Sequence, residues 1–150
     1  MSVGYELVQV QTTEDWQTYH LIRREELFNA AGQLYDAHRP EEQAPDRYPL
    51  LLRWKGKGIA TTRLDVHARG MAIVRLVAVA HVHQGEGHGR VLANMVEAFA
   101  RTKGATKLYL NARPSAVGFY ERLGYSFEDW DPAELTGTRD RCRQMSKVLL

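Results

Sequence analysis

The feature that most constrains the fold is a glycine-rich segment, Gln84–Arg90, which lies between a strand-like run and a helix-like run. The apolar run Met71–Ala80 precedes it and predicts a buried strand near the centre of a sheet. The run Arg90–Arg101 follows it, with apolar residues at helical spacing. A strand that turns through glycines into a helix gathers free backbone N–H groups at the positive end of the helix dipole. The segment therefore predicts an anion site, most often one for phosphate.

The rest of the chain predicts a mixed α/β domain in the order β-α-β-β-β-α-β-α-β-β. Besides Met71–Ala80, the predicted strands are Tyr5–Gln11, Tyr48–Trp54, Gly58–His67, Lys107–Ala112, Tyr125–Trp130 and Cys142–Leu149. The other predicted helices run from Thr12 or Thr13 to about Ala31, and from a cap at Ser115 to a stop at Gly124. Between these elements, Lys55–Gly58 predicts a hairpin turn and Tyr35–Asp46 a long loop.

Composition narrows the class of protein. The 150 residues carry 20 Lys and Arg against 18 Asp and Glu, a net charge of +2 spread along the chain, which does not favour a nucleic-acid binder. No apolar run approaches the roughly 20 residues that span a bilayer, and no signal peptide is evident. The single cysteine, Cys142, allows no internal disulfide, and no Cys/His spacing indicates a zinc site. We therefore expect one cytoplasmic domain over residues 1–150, with no metal, no nucleic-acid partner and no membrane partner.

Three common phosphate loops fit the glycine segment poorly. The P-loop needs a lysine and a hydroxyl residue directly after its last glycine, where this chain has Arg90 and Val91. The third glycine of the dinucleotide-binding fingerprint would fall on Arg90 or Leu92. The protein-kinase glycine loop lies in a hairpin rather than before a helix. Glycines at such a turn can also serve tight packing alone.

A different pattern, Q/R-x-x-G-x-G/A, is satisfied by Gln84, Gly87 and Gly89. The longer run 78–92 resembles the acetyl-CoA signature of the GCN5-related N-acetyltransferase (GNAT) superfamily, and 116–125 is similar to that family's A-x-x-F-Y-x-x-x-G-F segment. The resemblance implies a single-domain α/β fold with a mixed, mostly antiparallel sheet of six to seven strands, flanked by helices and splayed at its central strands. It also implies an N-acetyltransferase that uses acetyl-CoA as the acyl donor.

The resemblance implies which positions hold coenzyme A. Backbone amides of the loop would bind the pyrophosphate, and the backbone of Val77 and Val79 would pair with the pantetheine arm. The Val79 N–H would also polarise the thioester carbonyl, as an oxyanion donor does. The place of the family's cofactor asparagine falls on Arg113, so Asn111 would either replace it or simply end a strand. The implied cofactor-binding set is Val77, Val79, Gln84, Gly85, Glu86, Gly87, His88, Gly89, Arg90, Asn111, Phe119 and Tyr120. Of these, the Glu86 carboxylate is expected to face solvent.

The resemblance also implies a catalytic residue. Tyr120 matches the tyrosine that often protonates the leaving thiolate, although its place on an apolar helical stripe fits a core aromatic equally well. Some relatives carry a glutamate base where this chain has Ile73. His81 and His83, which stand beside the loop, are candidate bases, and a water-relayed proton is an equal alternative.

The acceptor site is the least constrained part of the sequence. Tyr35, Arg75 and His81 are the candidate substrate-binding residues. Arg75 lies in an apolar run, so it should meet either a substrate carboxylate or a structural partner such as Asp65 or Glu26.

The predicted reaction is direct acetyl transfer to an unidentified primary amine within a ternary complex, because nothing places Cys142 to carry the acetyl group. Two other functions fit the sequence: a CoA-binding sensor without catalysis, and an interaction domain that binds no CoA. A homodimer is compatible with each.

Overall fold

The computed structural model describes residues 4–28 and 44–150, and these residues form a seven-stranded mixed sheet with helices on both faces. The strands are β1 Tyr5–Gln9, β2 Arg47–Trp54, β3 Lys57–Val66, β4 Met71–Val79, β5 Lys107–Ala112, β6 Ser126–Phe127 and β7 Arg143–Val148. The helices are α1 Thr13–Arg23, α2 His88–Thr102 and α3 Val117–Arg122. The sheet order is β1-β2-β3-β4-β5-β7-β6, which confirms the predicted fold class and the central position of β4.

The sheet is antiparallel except between β4 and β5, which run parallel. A parallel pair needs a crossover, and α2 supplies it. The β2–β3 hairpin closes through Lys55 and Gly56, both with positive φ, as a two-residue hairpin turn requires. The predicted four-residue turn is therefore too long, because β3 begins at Lys57.

Alternation along β2 separates two hydrophobic cores. Leu50 and Leu52 belong to a core that includes Leu92 and Val96 of α2. Leu51, between them, belongs to the core formed with α1 residues such as Tyr19 on the opposite face. Successive side chains of a strand point to opposite faces, so one apolar strand contributes to both layers.

Strand β4 carries the irregularity that shapes the site. Its pairing with β3 shifts between Thr61 and Arg63, so that Leu76 and Val77 together oppose Thr62. Leu76 has a φ of 54°, and Thr62 Oγ1 donates a 2.7 Å hydrogen bond to the Arg75 carbonyl oxygen beside it. This arrangement is a β-bulge, which bends the strand and redirects the backbone that follows.

The two central strands separate after a short paired stretch. In the described sheet, β4 and β5 pair only from Met71–Ile73 to Lys107–Tyr109, although β4 continues to Val79 and β5 to Ala112. The predicted splay is thus present, and it opens the sheet towards the ends of both strands that precede the helices.

Several predicted boundaries need correction. Helix α1 ends at Arg23 and continues as a π-helical segment, Arg24–Phe28, beyond which the prediction lies outside the described residues. The long predicted loop also falls mostly outside them. Ser115 does not cap α3, since Pro114–Ala116 forms a 3₁₀ turn first. The sixth strand shrinks from six residues to Ser126–Phe127. No helix within the described ranges has the length and apolar character needed to cross a membrane.

Candidate active site

A cavity lies between β4 and helices α2 and α3. The cavity is small, and its lining is mainly apolar. The lining residues come from β3, β4, α2, α3 and the turn after α3: Thr62, Val74, Val77, Gly89, Leu92, Ala93, Val96, Phe119, Tyr120 and Tyr125. The cavity thus brings together the glycine loop, the bulged strand and the tyrosine helix, which are separate in sequence.

The backbone of β4 faces this opening. Ala80 N–H donates to the Ile59 carbonyl of β3 at 2.8 Å. Neighbouring N–H groups of a strand point to opposite edges, so the Val79 N–H points towards β5, where the two strands no longer pair. The side chain of Val77 lines the cavity on the same strand. The bulge and the splay therefore present a backbone donor to whatever occupies the gap.

The glycine loop is open on its outer side. Gly85 and Gly87 have φ values of 79° and 86°, and a Cβ added to either would meet nothing within 4 Å. Gly87 is the N-cap of α2, so the first N–H groups of that helix have no acceptor within it. A Cβ on Gly89 would lie 3.5 Å from the Phe119 ring, which closes the cavity on that side. The loop has the backbone geometry of an anion cradle.

Two loop side chains take positions that the sequence did not indicate. His88 is 3% exposed, and its Nδ1 lies 2.7 Å from the Tyr5 hydroxyl, so its ring packs towards β1 and β2. Glu86 is half exposed, as expected, but its carboxylate lies 3.3 Å from His88 Nε2 rather than free in solvent. The ring of His88 is therefore turned away from the cavity, and its backbone alone can face an anion.

Glu26 anchors the loop to the segment that follows α1. Its carboxylate accepts the His81 N–H at 2.9 Å and the Gln84 side-chain amide at 3.2 Å. The same amide donates to the Val79 carbonyl at 2.9 Å. The imidazole of His81 is exposed directly after β4. The sequence named Glu26 only as a partner for Arg75, and no local pattern marks this anchoring contact.

Tyr120 lies in an apolar environment. Its ring packs edge-on against Phe119 and Tyr125, with centroids 5.1 and 5.5 Å away. Burial raises the pKa of Tyr120 to about 12, an effect that the positive charge of Arg113 only partly offsets. The phenol is therefore neutral throughout the physiological range, and it can donate a hydrogen bond but cannot act as a base.

A sequence profile of the acetyltransferase (GNAT) family matches residues 5–125, which contain the bulged strand, the glycine loop and the tyrosine helix. The chain belongs to this family. As a GNAT acetyltransferase, it is 40% identical over 65 residues to the streptothricin acetyltransferase of Streptomyces lavendulae. That alignment covers 41% of this chain and only 34% of the relative's length.

Solved structures share the fold of this acetyltransferase over nearly its whole length. A Lactobacillus plantarum structure assigned as an N-acetyltransferase superposes with a TM-score of 0.81 at 20% identity, over 98% of this chain and 99% of that one. An aminoglycoside 6'-N-acetyltransferase in complex with coenzyme A gives 0.77 at 12% identity, over 97% of each chain. The ribosomal-protein-S18-alanine N-acetyltransferase of Escherichia coli gives 0.74 at 19% identity, over 97% and 94%.

Two candidate residues of this GNAT acetyltransferase have structural partners. Arg75 donates from Nη1 and Nη2 to the two carboxylate oxygens of Glu134 at 2.5 and 2.8 Å, and it also reaches Asp65 at 3.3 Å. Of the two alternatives for Arg75, the structure shows the ion pair. Asn111 donates to Glu134 and accepts from Gln144, both at 2.9 Å, and it does not line the cavity. Glu134 lies far along the chain from both residues, so no local pattern indicated this network.

The remaining candidates are placed as follows. Arg90 is exposed in the first turn of α2, and the apolar Ile73 is buried in β4 at the position where some relatives carry a base. Tyr35 lies outside the described residues. Cys142 is buried, and burial raises the pKa of its thiol, which keeps it protonated and weakly nucleophilic.

Proposed function

We propose that this acetyltransferase moves an acetyl group from acetyl-CoA directly to a primary amine within a ternary complex. The observation that carries the proposal is the gap between β4 and β5, into which the Val79 N–H points, beside a cavity that Gly89 of the glycine loop and Tyr120 line. The gap has the form of a missing strand, which suits an extended pantetheine arm. The loop at its end suits a pyrophosphate, whose two negative charges favour a helix N-terminus.

The chain's own groups then have distinct tasks. The Val79 N–H donates to the thioester carbonyl oxygen and stabilises the negative charge that develops on it. The amine nitrogen attacks the carbonyl carbon, the C–N bond forms, and the C–S bond breaks to release the thiolate of CoA. The thiolate accepts a proton from the Tyr120 hydroxyl, the attacking nitrogen releases its proton to water, and the Tyr120 phenolate then takes a proton back from water. The products are an amide and free CoA.

The raised pKa of Tyr120 sets how it acts. A thiol has a pKa of about 8.5 in water, so proton transfer from a phenol of pKa about 12 costs about 5 kcal/mol on those values. The thiolate is desolvated in the same apolar cavity, which raises its own pKa and reduces this cost. We therefore assign Tyr120 the role of a hydrogen-bond donor whose proton moves as the C–S bond breaks.

The acceptor amine must lose its proton before it attacks. Ile73 supplies no base, so a water molecule or the exposed His81 imidazole is the proposed proton acceptor. The names of two similar proteins give different acceptors, streptothricin in one case and an alanine of ribosomal protein S18 in the other. Streptothricin, an aminoglycoside and an alanine-led peptide therefore form the first acceptor panel.

Two measurements test the proposal. Acetyl-CoA at 100 times its dissociation constant should stabilise the fold by about 2.7 kcal/mol, seen as a higher melting temperature. Free thiol should then appear when acetyl-CoA and an accepted amine are mixed with the enzyme. Absence of any thermal shift at saturating CoA would contradict the proposal and favour an interaction domain. A shift without thiol release for any amine would favour a CoA sensor, the alternative that the apolar Ile73 supports.

A further inference from the structure

The loop that begins the site contains a second cluster, formed by His83, Glu86 and His88. One ring nitrogen from each histidine and one carboxylate oxygen all lie within 4.8 Å of one another. Glu86 Oε1 is 3.6 Å from His83 Nδ1 and 3.3 Å from His88 Nε2. Ligand atoms of a tetrahedral zinc ion, each about 2.0–2.1 Å from the metal, are about 3.3 Å apart. The three side chains are thus near the spacing that one ion requires.

Unpaired nitrogens point to a missing ligand. Among the described residues, Nε2 of both His83 and His88 is buried without a hydrogen-bond partner, but the His83 nitrogen nearest Glu86 is Nδ1, so the unpaired atom that bears on this cluster is His88 Nε2. Leaving a buried polar atom unpaired is costly, and such atoms call for an explanation. His88 is the clearer case, since it is 3% exposed and its unpaired Nε2 lies beside the Glu86 carboxylate. A cation between Nε2 and this carboxylate pairs both groups, as a proton on Nε2 does in the metal-free protein.

Tyr5 holds the other ring nitrogen of His88, as a supporting residue does for a histidine that binds a metal. Its hydroxyl lies 2.7 Å from His88 Nδ1, on the opposite side of the ring from Glu86. A histidine that binds a metal usually hydrogen-bonds through its other nitrogen, which fixes the tautomer and the ring orientation. Trp54 packs against the same ring at a centroid distance of 4.7 Å and holds it further. His88 is therefore pre-positioned, and His83 and Glu86 need only small movements.

We propose that His83, Glu86 and His88 form a binding site for one divalent transition-metal ion of the zinc class. Two imidazoles and one carboxylate are borderline ligands that suit Zn²⁺ and Co²⁺ better than Mg²⁺ or Ca²⁺. The prediction of no metal rested on the absence of a cysteine pair or a Cys/His spacing typical of a zinc site, and it did not consider His83, Glu86 and His88 together. The ion would fix the loop from the side of β1 and β2, whereas Gly89 faces the cavity. This inference goes beyond the proposed function and does not depend on it.

Calorimetric titration of the metal-free, untagged protein with Zn²⁺ tests the site. We expect one ion per chain, with affinity at least about tenfold weaker in His83→Ala and in Glu86→Gln. Both residues are at least partly exposed, so these variants should fold even if His88→Ala does not. His81→Ala is the matched control, because His81 is an exposed histidine in the same 3₁₀ turn and lies outside the cluster. It should bind Zn²⁺ as the parent does.

A second readout identifies the ligands without reference to activity. Co²⁺ in the site should give visible absorption typical of tetrahedral or five-coordinate nitrogen and oxygen ligation, lost in His83→Ala and retained in His81→Ala. Absence of saturable Zn²⁺ binding would overturn the proposal and leave a proton between His88 and Glu86. Equal loss of affinity in His81→Ala and His83→Ala would also overturn it, since binding would then reflect surface histidines. Neither result would bear on acetyl-CoA binding.

Discussion

The hydroxyl of Thr62 on β3 hydrogen-bonds the carbonyl oxygen of Arg75 on β4, at 2.7 Å and across the β-bulge. Thr62 is 1% exposed, so its removal leaves a buried carbonyl without this donor. Thr62→Val should therefore lower the free energy of unfolding by about 1 to 3 kcal/mol, measured by urea denaturation. It should also weaken CoA binding, because the bulge directs the Val79 N–H. Thr62→Ser keeps the hydroxyl and should retain most of the affinity for CoA. An equal loss of CoA affinity in both variants would show that the hydrogen bond across the bulge does not support binding.

Gly87 and Gly89 differ in backbone conformation, so replacement by alanine should affect stability at the first position and not at the second. Gly87 has a φ of 86°, where alanine costs about 1–2 kcal/mol. Gly87→Ala should lower stability by that amount and raise the Kd for CoA about tenfold, because the loop relaxes and withdraws its N–H groups. Gly89 has no positive φ and room at 3.5 Å from Phe119, so Gly89→Ala should fold without loss. Thermal melts and CoA titration of this matched pair test whether the positive φ of Gly87 is required. Similar stability and Kd for the two variants would contradict that requirement.

Tyr120→Phe removes the proposed donor and keeps the ring. We expect kcat to fall about a hundredfold, as happens when one donor to a developing charge is lost, with little change in the KM for acetyl-CoA. Steady-state kinetics with a saturating amine measures both constants. Phe119→Leu, on the same cavity wall, is the control for packing. It should affect KM more than kcat. An unchanged kcat in Tyr120→Phe would show that Tyr120 only packs in the core and donates no proton.

The same residue predicts the shape of the pH profile. The protonated phenol is the active form, and burial raises the pKa of Tyr120 to about 12, so this form persists at alkaline pH. Activity should rise with pH as the acceptor amine loses its proton, and it should not decline through pH 10. Initial rates in overlapping buffers, checked against thermal melts at each pH, test this expectation. A descending limb near pH 9 while the protein is still folded would contradict it.

Glu134 predicts an acid-dependent loss of stability. The Arg75 guanidinium, which hydrogen-bonds both carboxylate oxygens, lowers the pKa of Glu134 below its ordinary 4.5. A lowered folded-state pKa gives stabilisation that is present above the unfolded value and lost as pH falls through the folded one. Glu134→Gln should therefore reduce the melting temperature at neutral pH, and the difference from the parent should vanish in acid. Glu121→Gln, an exposed change on α3, should show no such trend. A difference that persists unchanged in acid would contradict the ion pair.

The parts of the fold that follow local pattern could be predicted from the sequence. Strand β5 was predicted at its observed bounds, because its side chains alternate between a buried and a half-buried face. Helix α2 begins at His88 rather than Arg90, because a glycine with positive φ caps it and a polar residue is buried in its first turn. The predicted sixth strand is too long, since Ser126 and Phe127 lie at an exposed sheet edge where pairing, rather than periodicity, sets the length.

Contacts across long sequence separation could not be predicted. The glycine loop and the Tyr120 helix were visible as motifs, and the structure places both at one cavity. The partner shared by Arg75 and Asn111 is Glu134, which stands after the short sixth strand and belongs to no motif. The pairing of Tyr5 with His88 spans 83 residues. Such contacts depend on which strands become neighbours, and that is settled by the whole sheet rather than by any local segment.

Because β4 and β5 diverge, part of β4 in the middle of the sheet has backbone groups without a neighbouring strand, like those of an edge strand. Strand edges are normally at the rim, where charged or bulky side chains protect them. Here the edge is sheltered by the flanking helices, so it can offer main-chain groups to a small molecule without exposing them to another polypeptide. Recognition by main-chain groups requires a backbone path and places few demands on side-chain identity. Sequences can therefore diverge to 12% identity while the fold is kept.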